Sequence, residues 1–200
     1  PLHVIRTIRE LEQAGAAAAQ IEDQIYPKRA HYHQGLEHTT DAEMMVAKFY
    51  DAENGGFWQS AADSPDLILR VKDDHDGAEP SGNSVATLAL LKLAAITDRA
   101  DFQKPAEATL HWFGSRLENN PPALPYMLQA LDFSLAAPRR VVIAGDPRST
   151  RARELIHAAH SVYQPNKVLL GTAGAVEEFA RTLPAKKGTV AYLCTGKACQ

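Results

Sequence analysis

The run Pro138-Arg139-Arg140-Val141-Val142-Ile143-Ala144-Gly145-Asp146 is where this chain changes character. Val141 to Ala144 is an unbroken apolar stretch closed by Gly145-Asp146, which reads as a buried strand. Downstream the pattern predicts a helix from about 149 to 163, a strand over Lys167–Leu170, a helix over 174–183 and a strand over Thr189–Cys194. Strand–helix–strand–helix–strand implies a small three-stranded parallel α/β unit with right-handed crossovers. Upstream of Pro138 the pattern is helical. The reading is therefore mainly α, with a helical portion over residues 1–137 and a small α/β unit over 138–200.

Working back from Pro138, three helices are predicted, over about 122–136, 101–118 and 83–97. The first of these begins at Pro121-Pro122, where proline suits an opening turn. The second carries Phe102, Leu110, Trp112, Phe113 and Leu117, and the third opens at Ser81-Gly82-Asn83. Residues 61–80 form a long loop, a length that in compact domains usually signals function or disorder. Gly56 to Ser60 reads as a short aromatic strand. Thr40 followed by Glu43 has the capping-box form, so a helix starts near Asp41 and stops at Glu53-Asn54-Gly55-Gly56. Leu2, Ile5, Ile8, Leu11, Ile21 and Ile25 predict one long helix over 2–25, ended by Pro27, with Lys28 to Gln34 as a connector.

Composition narrows the function classes. The 200 residues are 45% hydrophobic and 22% charged, ordinary for a globular chain, and the formal charge of −3 gives no reason to expect nucleic acid or anionic lipid. Apolar runs such as Val85 to Ile96 fall short of the roughly 20 residues that span a bilayer, so no membrane is expected. Pro1 to Glu10 lacks the apolar core of a secretory signal. Pro1 in place of an initiator Met suggests processing or a start within a longer protein. With two cysteines only, Cys194 and Cys199, a reducing compartment and a cytoplasmic location are expected.

Chemistry, if present, lies between Arg70 and Ser84. These fifteen residues hold Arg70, Lys72, Asp73, Asp74, His75, Asp76, Glu79, Ser81, Asn83 and Ser84, and they end on a helix N-terminus. Paired carboxylates there can divide into proton donor and base if burial separates their pKa values. The helix start at Ser81–Ser84 can also hold an anionic or hydroxyl-rich ligand by its free N–H groups. The plainer alternative is that Ser81 or Asn83 caps the helix and the charges are solvated.

Other features read as structural. Cys194 and Cys199 can be free thiols, a local disulfide, or half a zinc site completed by His157 and His160, although four ligands are needed. Gly145-Asp146-Pro147 lacks dinucleotide glycine spacing and reads as a strand-to-helix turn. His31, His33 and His38 read as surface residues. No cofactor and no metal are expected. Phe57, Trp58, Trp112 and Phe113 belong to the core or to the mouth of a ligand site.

Five ordered blocks carry a resemblance. They are Asn54-Gly55-Gly56-Phe57-Trp58 through Arg70-Val71-Lys72 to Asp76–Ser84, then Pro121-Pro122-Ala123 with Gln129-Ala130-Leu131-Asp132, Val142–Asp146, Pro165-Asn166-Lys167-Val168, and Cys194-x4-Cys199-Gln200. Together they resemble the C-terminal part of the thioredoxin-domain-containing family that includes the spermatogenesis-associated thioredoxin-domain proteins. The resemblance implies an (α/α)6 toroid similar to N-acylglucosamine 2-epimerases and six-hairpin glycosidases, and a carbohydrate-like ligand in its cavity. On it, Asp76 and Glu79 are the acid/base candidates, while Arg70, Lys72, Ser81 and Asn83 bind substrate. The family's thioredoxin part is absent, residues 1–36 match no block, and a full toroid needs far more helices than the five or so predicted before 137. A partial toroid implies self-association, or a partner that covers its open faces. The rival expectation is a non-enzymatic scaffold or interaction module, or an inactive fragment.

Overall fold

A computed structural model describes residues 42–64, 68–185, 188–196 and 198–200. The predicted helix over 2–25, the connector after it, the three N-terminal histidines and the capping box at Thr40 lie outside the described residues. From Asp41 to Gln200 the chain forms one compact unit.

The helical part comprises α1 (Ala42–Phe49), α2 (Gly82–Thr97), α3 (Ala100–Asn119), a 3-10 turn at Pro121–Ala123, and α4 (Pro125–Leu135). Both boundaries of α2 have a local cause. Ser81 stands in extended conformation and its hydroxyl accepts the Ser84 N–H, which stabilises the start of α2 by about 1 kcal/mol. Asp98 ends α2 in the left-handed region and donates its N–H to Ala94 O. Pro105 sits inside α3, near its start. Between α1 and α2 the predicted strand over 56–60 reduces to one isolated bridge, Tyr50 with Phe57. No longer ladder forms there because Asn83, not a strand, takes the Phe57 N–H and C=O.

The sheet corrects the expectation of three parallel strands. Its order is β2-β1-β3-β4, with β1 (Arg139–Ala144), β2 (Lys167–Gly171), β3 (Val190–Thr195) and β4 (Ala198–Cys199). β1 and β2 are parallel across α5 (Thr150–Ser161), but β3 runs antiparallel to β1, from Val190 opposite Ala144 to Thr195 opposite Arg139. The reason is length. The connecting helix α6 (Glu178–Thr182) is five residues long and rises about 7.5 Å, while a five-residue strand spans about 16 Å. The chain therefore re-enters the sheet at the end where it left. Gly196, at φ 59°, then turns β3 into the fourth strand.

β1 is apolar on both faces because both are covered. Val141 and Ile143 pack with Ala152, Leu155 and Ile156 of α5. Val142, with Val168 and Leu170 of β2, joins the helical core around Leu90, Phe113, Leu124 and Met127. Arg140 ties the layers together: its Nε donates to Ala95 O at the end of α2 at 3.1 Å, and it pairs with buried Glu177 at 3.4 Å. Among the described residues no helix is long and apolar enough to cross a membrane.

Candidate functional site

The polar loop closes over the start of α2, and Asp76 is its pivot. Its main-chain N–H donates to Ala123 O at 2.7 Å. Asp76 Oδ1 accepts the Ser81 N–H at 2.8 Å, and Oδ2 accepts the N–H groups of Tyr126 and Met127 at 2.8 and 3.4 Å. One carboxylate thus satisfies main-chain donors at the openings of two helices, α2 and α4, where negative charge is favoured by the helix dipole. Burial pushes its pKa up, but hydrogen bonds from Ser81, Ser84 and Tyr126 outweigh that and hold the carboxyl below its ordinary value.

Lys72 is equally engaged. Its Nζ lies 2.8 Å from Asp51 Oδ2 and donates to Gly55 O at 2.6 Å, with only 5% of the lysine and 9% of the aspartate side chain exposed. The ammonium also sits 4.4 Å from the Trp58 ring centre and 4.6 Å from that of Trp112, so two aromatic faces replace the lost water. Asp51 accepts the Glu53 and Asn54 N–H groups and the Asn54 side-chain amide. Its hydrogen bond from Lys72 outweighs burial and holds its carboxyl far below the usual carboxylate range.

Asn83 is buried and saturated. Its Oδ1 accepts the Phe57 N–H at 2.6 Å, and its Nδ2 donates to Phe57 O and Asp73 O, each at 3.0 Å. Gly56 is held beside it at φ 81°, where an added Cβ would meet Asn83 and Lys72 at 3.3 Å, and its N–H goes to Thr109 of α3. Arg70 forks onto Ser60 O with its guanidinium 4.9 Å from the Trp58 ring. Ser81 and Ser84 share a hydroxyl bond at 2.9 Å. Glu79 stands exposed, and among the described residues its carboxylate takes no hydrogen bond.

Two clefts flank this cluster. One, of about 310 Å³, is lined by Met45 and Phe49 of α1, Phe57, Trp58, Gln59, Asp73 and the start of α2. The other, of about 490 Å³, is lined by Trp112, Arg116 and Asn119 of α3 together with Asp74. Of the predicted site residues, Asn83 alone lines either cleft. Asp73 and Asp74 face the clefts instead, but Asp73 is bonded to Gln59 and Asp74 to Arg116. A general acid or base needs an oxygen turned to a reacting atom. Both Asp76 oxygens are turned to main chain.

Sequence reasoning missed Asp51 and Thr109 as parts of this cluster, and left Trp112 open between the core and the mouth of a ligand site. Asp51 had a local signal, since Asp followed three residues later by Asn-Gly is an Asx-turn pattern. Thr109 had none, because helical spacing places it equally well in a core. Cys194 and Cys199, left open above, are joined as a disulfide across β3 and β4.

No protein-family model matches the chain. A rat protein, spermatogenesis-associated protein 20, is 41% identical over 138 residues, which are 68% of this chain and 18% of the relative. Its human counterpart is 38% identical over 160 residues, 76% of this chain and 20% of the relative. A 34-residue stretch, 17% of the chain, is 62% identical to a piece covering 11% of 2-methylisocitrate lyase from Aeropyrum pernix. The chain therefore spans about a fifth of the length of the longer curated relatives it matches. Over most of its length, this chain is homologous to spermatogenesis-associated protein 20.

Proposed function

We propose that this chain acts as a non-enzymatic interaction module, a piece of helical architecture whose polar loop is a structural clasp. The observation that carries the reading is the saturation of Asp76, which spends both oxygens on the N–H groups of Ser81, Tyr126 and Met127. Lys72 and Asn83 support it in the same way, each with its polar atoms engaged by neighbouring chain. α2 supports the interaction part of the reading. It is apolar on nearly every side, yet Gly82, Val85 and Ala89 are exposed along it. An all-round apolar helix belongs inside a larger body. An (α/α)6 toroid completed by further helices, or a second copy of this chain, would cover that face.

A carbohydrate-binding reading, with isomerase-like or glycosidase-like chemistry as its extension, has one observation in its favour. The 310 Å³ cleft offers aromatic faces from Phe57 and Trp58 beside the polar groups of Gln59 and Asp73, a lining suited to a hydroxyl-rich ring. Thermal melting separates the two readings, because a ligand that binds only the folded chain raises Tm. The module reading expects no Tm rise with monosaccharides or sugar phosphates, and a lowered Tm in Asp76→Asn without any ligand. A sugar that raises the Tm of the unaltered chain, with Asp76→Asn losing that rise but keeping its unliganded Tm, overturns the module reading.

A further inference from the structure

We propose that Cys194 and Cys199 are a reversible dithiol–disulfide switch that locks and releases the β3–β4 hairpin, with Arg140 as the positioning residue for the Cys194 sulfur. The two cysteines are five positions apart and face each other in the ladder, so the bond closes a small ring around the Gly196 turn. Little else holds β4. It is two residues long, and among the described residues the segment is further fastened by the reciprocal Leu193–Gln200 main-chain bonds, at 3.0 and 2.9 Å, by the Arg140 bond to Gly196 and by the packing of Cys199 on the core.

The two sulfurs differ in surroundings. Cys194 is 3% exposed and belongs to the core shared with α2, whereas Cys199 is only partly buried at the sheet edge. An external thiolate therefore meets Cys199 first. Arg140 lies directly opposite Cys194 in the ladder, so the two side chains share one face of the sheet. Its guanidinium donates to Gly196 O, inside the ring, at 3.2 Å. The guanidinium is also paired with Glu177 at 3.4 Å, which holds it in place at the turn, and its remaining N–H groups there favour a departing thiolate.

The step balances with a small dithiol as reductant. Its thiolate attacks the Cys199 sulfur, the Cys194–Cys199 bond breaks, and Cys194 leaves as a thiolate beside Arg140. The second reductant thiol, deprotonated, attacks the first reductant sulfur and expels Cys199 as a thiolate. Two electrons pass to the protein, the reductant ends as its own disulfide, and its two protons are available to the new thiols. Reduction leaves β4 on its few main-chain bonds. Its release uncovers the outer edge of β3 over Leu193–Thr195, whose main-chain groups can then pair with another strand.

The test is a titration of the 200-residue chain with reduced and oxidised dithiothreitol, quenched by alkylation and read by intact mass, with amide exchange in parallel. Two thiols should appear together while the helical signal persists, and protection should fall at Leu193 and Gln200 but not in α2. Arg140→Gln should slow reduction severalfold, and Arg140→Lys should restore much of the rate. The Cys194→Ser/Cys199→Ser chain should show the loosened hairpin without reductant; if it fails to fold, Cys199→Ser alone takes its place. A pair that yields only when the helices melt, thiols that stay free in oxidised dithiothreitol, or reduction that leaves Leu193 and Gln200 protected each overturn the switch. An unaltered reduction rate in Arg140→Gln overturns the role of Arg140.

Discussion

The two ends of α2 are held by opposite charges, and they were not equally visible. At its start Asp76 accepts the Ser81 N–H, and at its end Arg140 donates to the Ala95 carbonyl. Both signs suit the helix dipole, anion at the opening and cation at the close. The difference lies in the origin of the partners. The start is served by Asp76, five residues from the Ser81 N–H it binds, and by a loop rich in candidates. The end is served by Arg140, 45 positions from Ala95, and by Glu177, whose N–H goes to Ile96 O. A cluster of charges close together in sequence suggests a site, while charges far apart suggest nothing until they meet. Here the conspicuous cluster and the inconspicuous pair do the same work, satisfying helix ends that would otherwise lose water without compensation.

The largest effect should come from the buried ion pair in the clasp beside the start of α2. Lys72→Ala leaves Asp51 buried without its cation and should lower unfolding free energy by about 3–5 kcal/mol in urea titration. A loss under about 1 kcal/mol would mean that the buried pair contributes no more than a surface one, and the clasp would not differ in kind from solvated charge.

Acid sharpens the comparison at intermediate scale. The carboxyls of Asp51 and Asp76 are both depressed in the folded chain. Their contribution is therefore fully present above the ordinary carboxylate pKa of about 3.9 and is lost as pH falls below it toward the folded values. Protection factors for amide exchange at Ser81 and Tyr126, taken against the intrinsic rate at each pH, should fall as pH is lowered through that window. Protection that holds there until the whole chain unfolds would remove Asp76 from its place as pivot.

The smallest effect belongs to Glu79. Glu79→Gln alters an exposed group with no partner among the described residues, so stability should stay within about 0.5 kcal/mol of the unaltered chain. A larger shift would place Glu79 in an interaction and revive its pairing with Asp76.

Much of the fold was legible. α2, α3 and the β1–α5–β2 unit follow from apolar spacing and from the turn residues around them, signals that neighbouring residues carry by themselves. The direction of β3 was not legible, because it depends on whether the preceding helix is long enough to recross the sheet, and α6 is shorter than its sequence pattern implied. The polar residues between Arg70 and Ser84 stand out in the sequence, but their partners do not. Asn83 reads as a cap or a ligand group, and it is bonded to Phe57 and Asp73. Lys72 reads as a substrate-binding cation, and it lies between two tryptophans on Asp51.

The order of amino acids by itself determined where α2, α3 and α5 start, where Val141–Ala144 must be buried, and which loop concentrates charge, since these depend on local sterics and on the spacing of apolar side chains. Only the tertiary structure decided which of those charged groups remain available to a ligand. Hydrogen-bonding capacity is set residue by residue, but its consumption is settled by whichever main-chain groups the fold brings within about 3 Å.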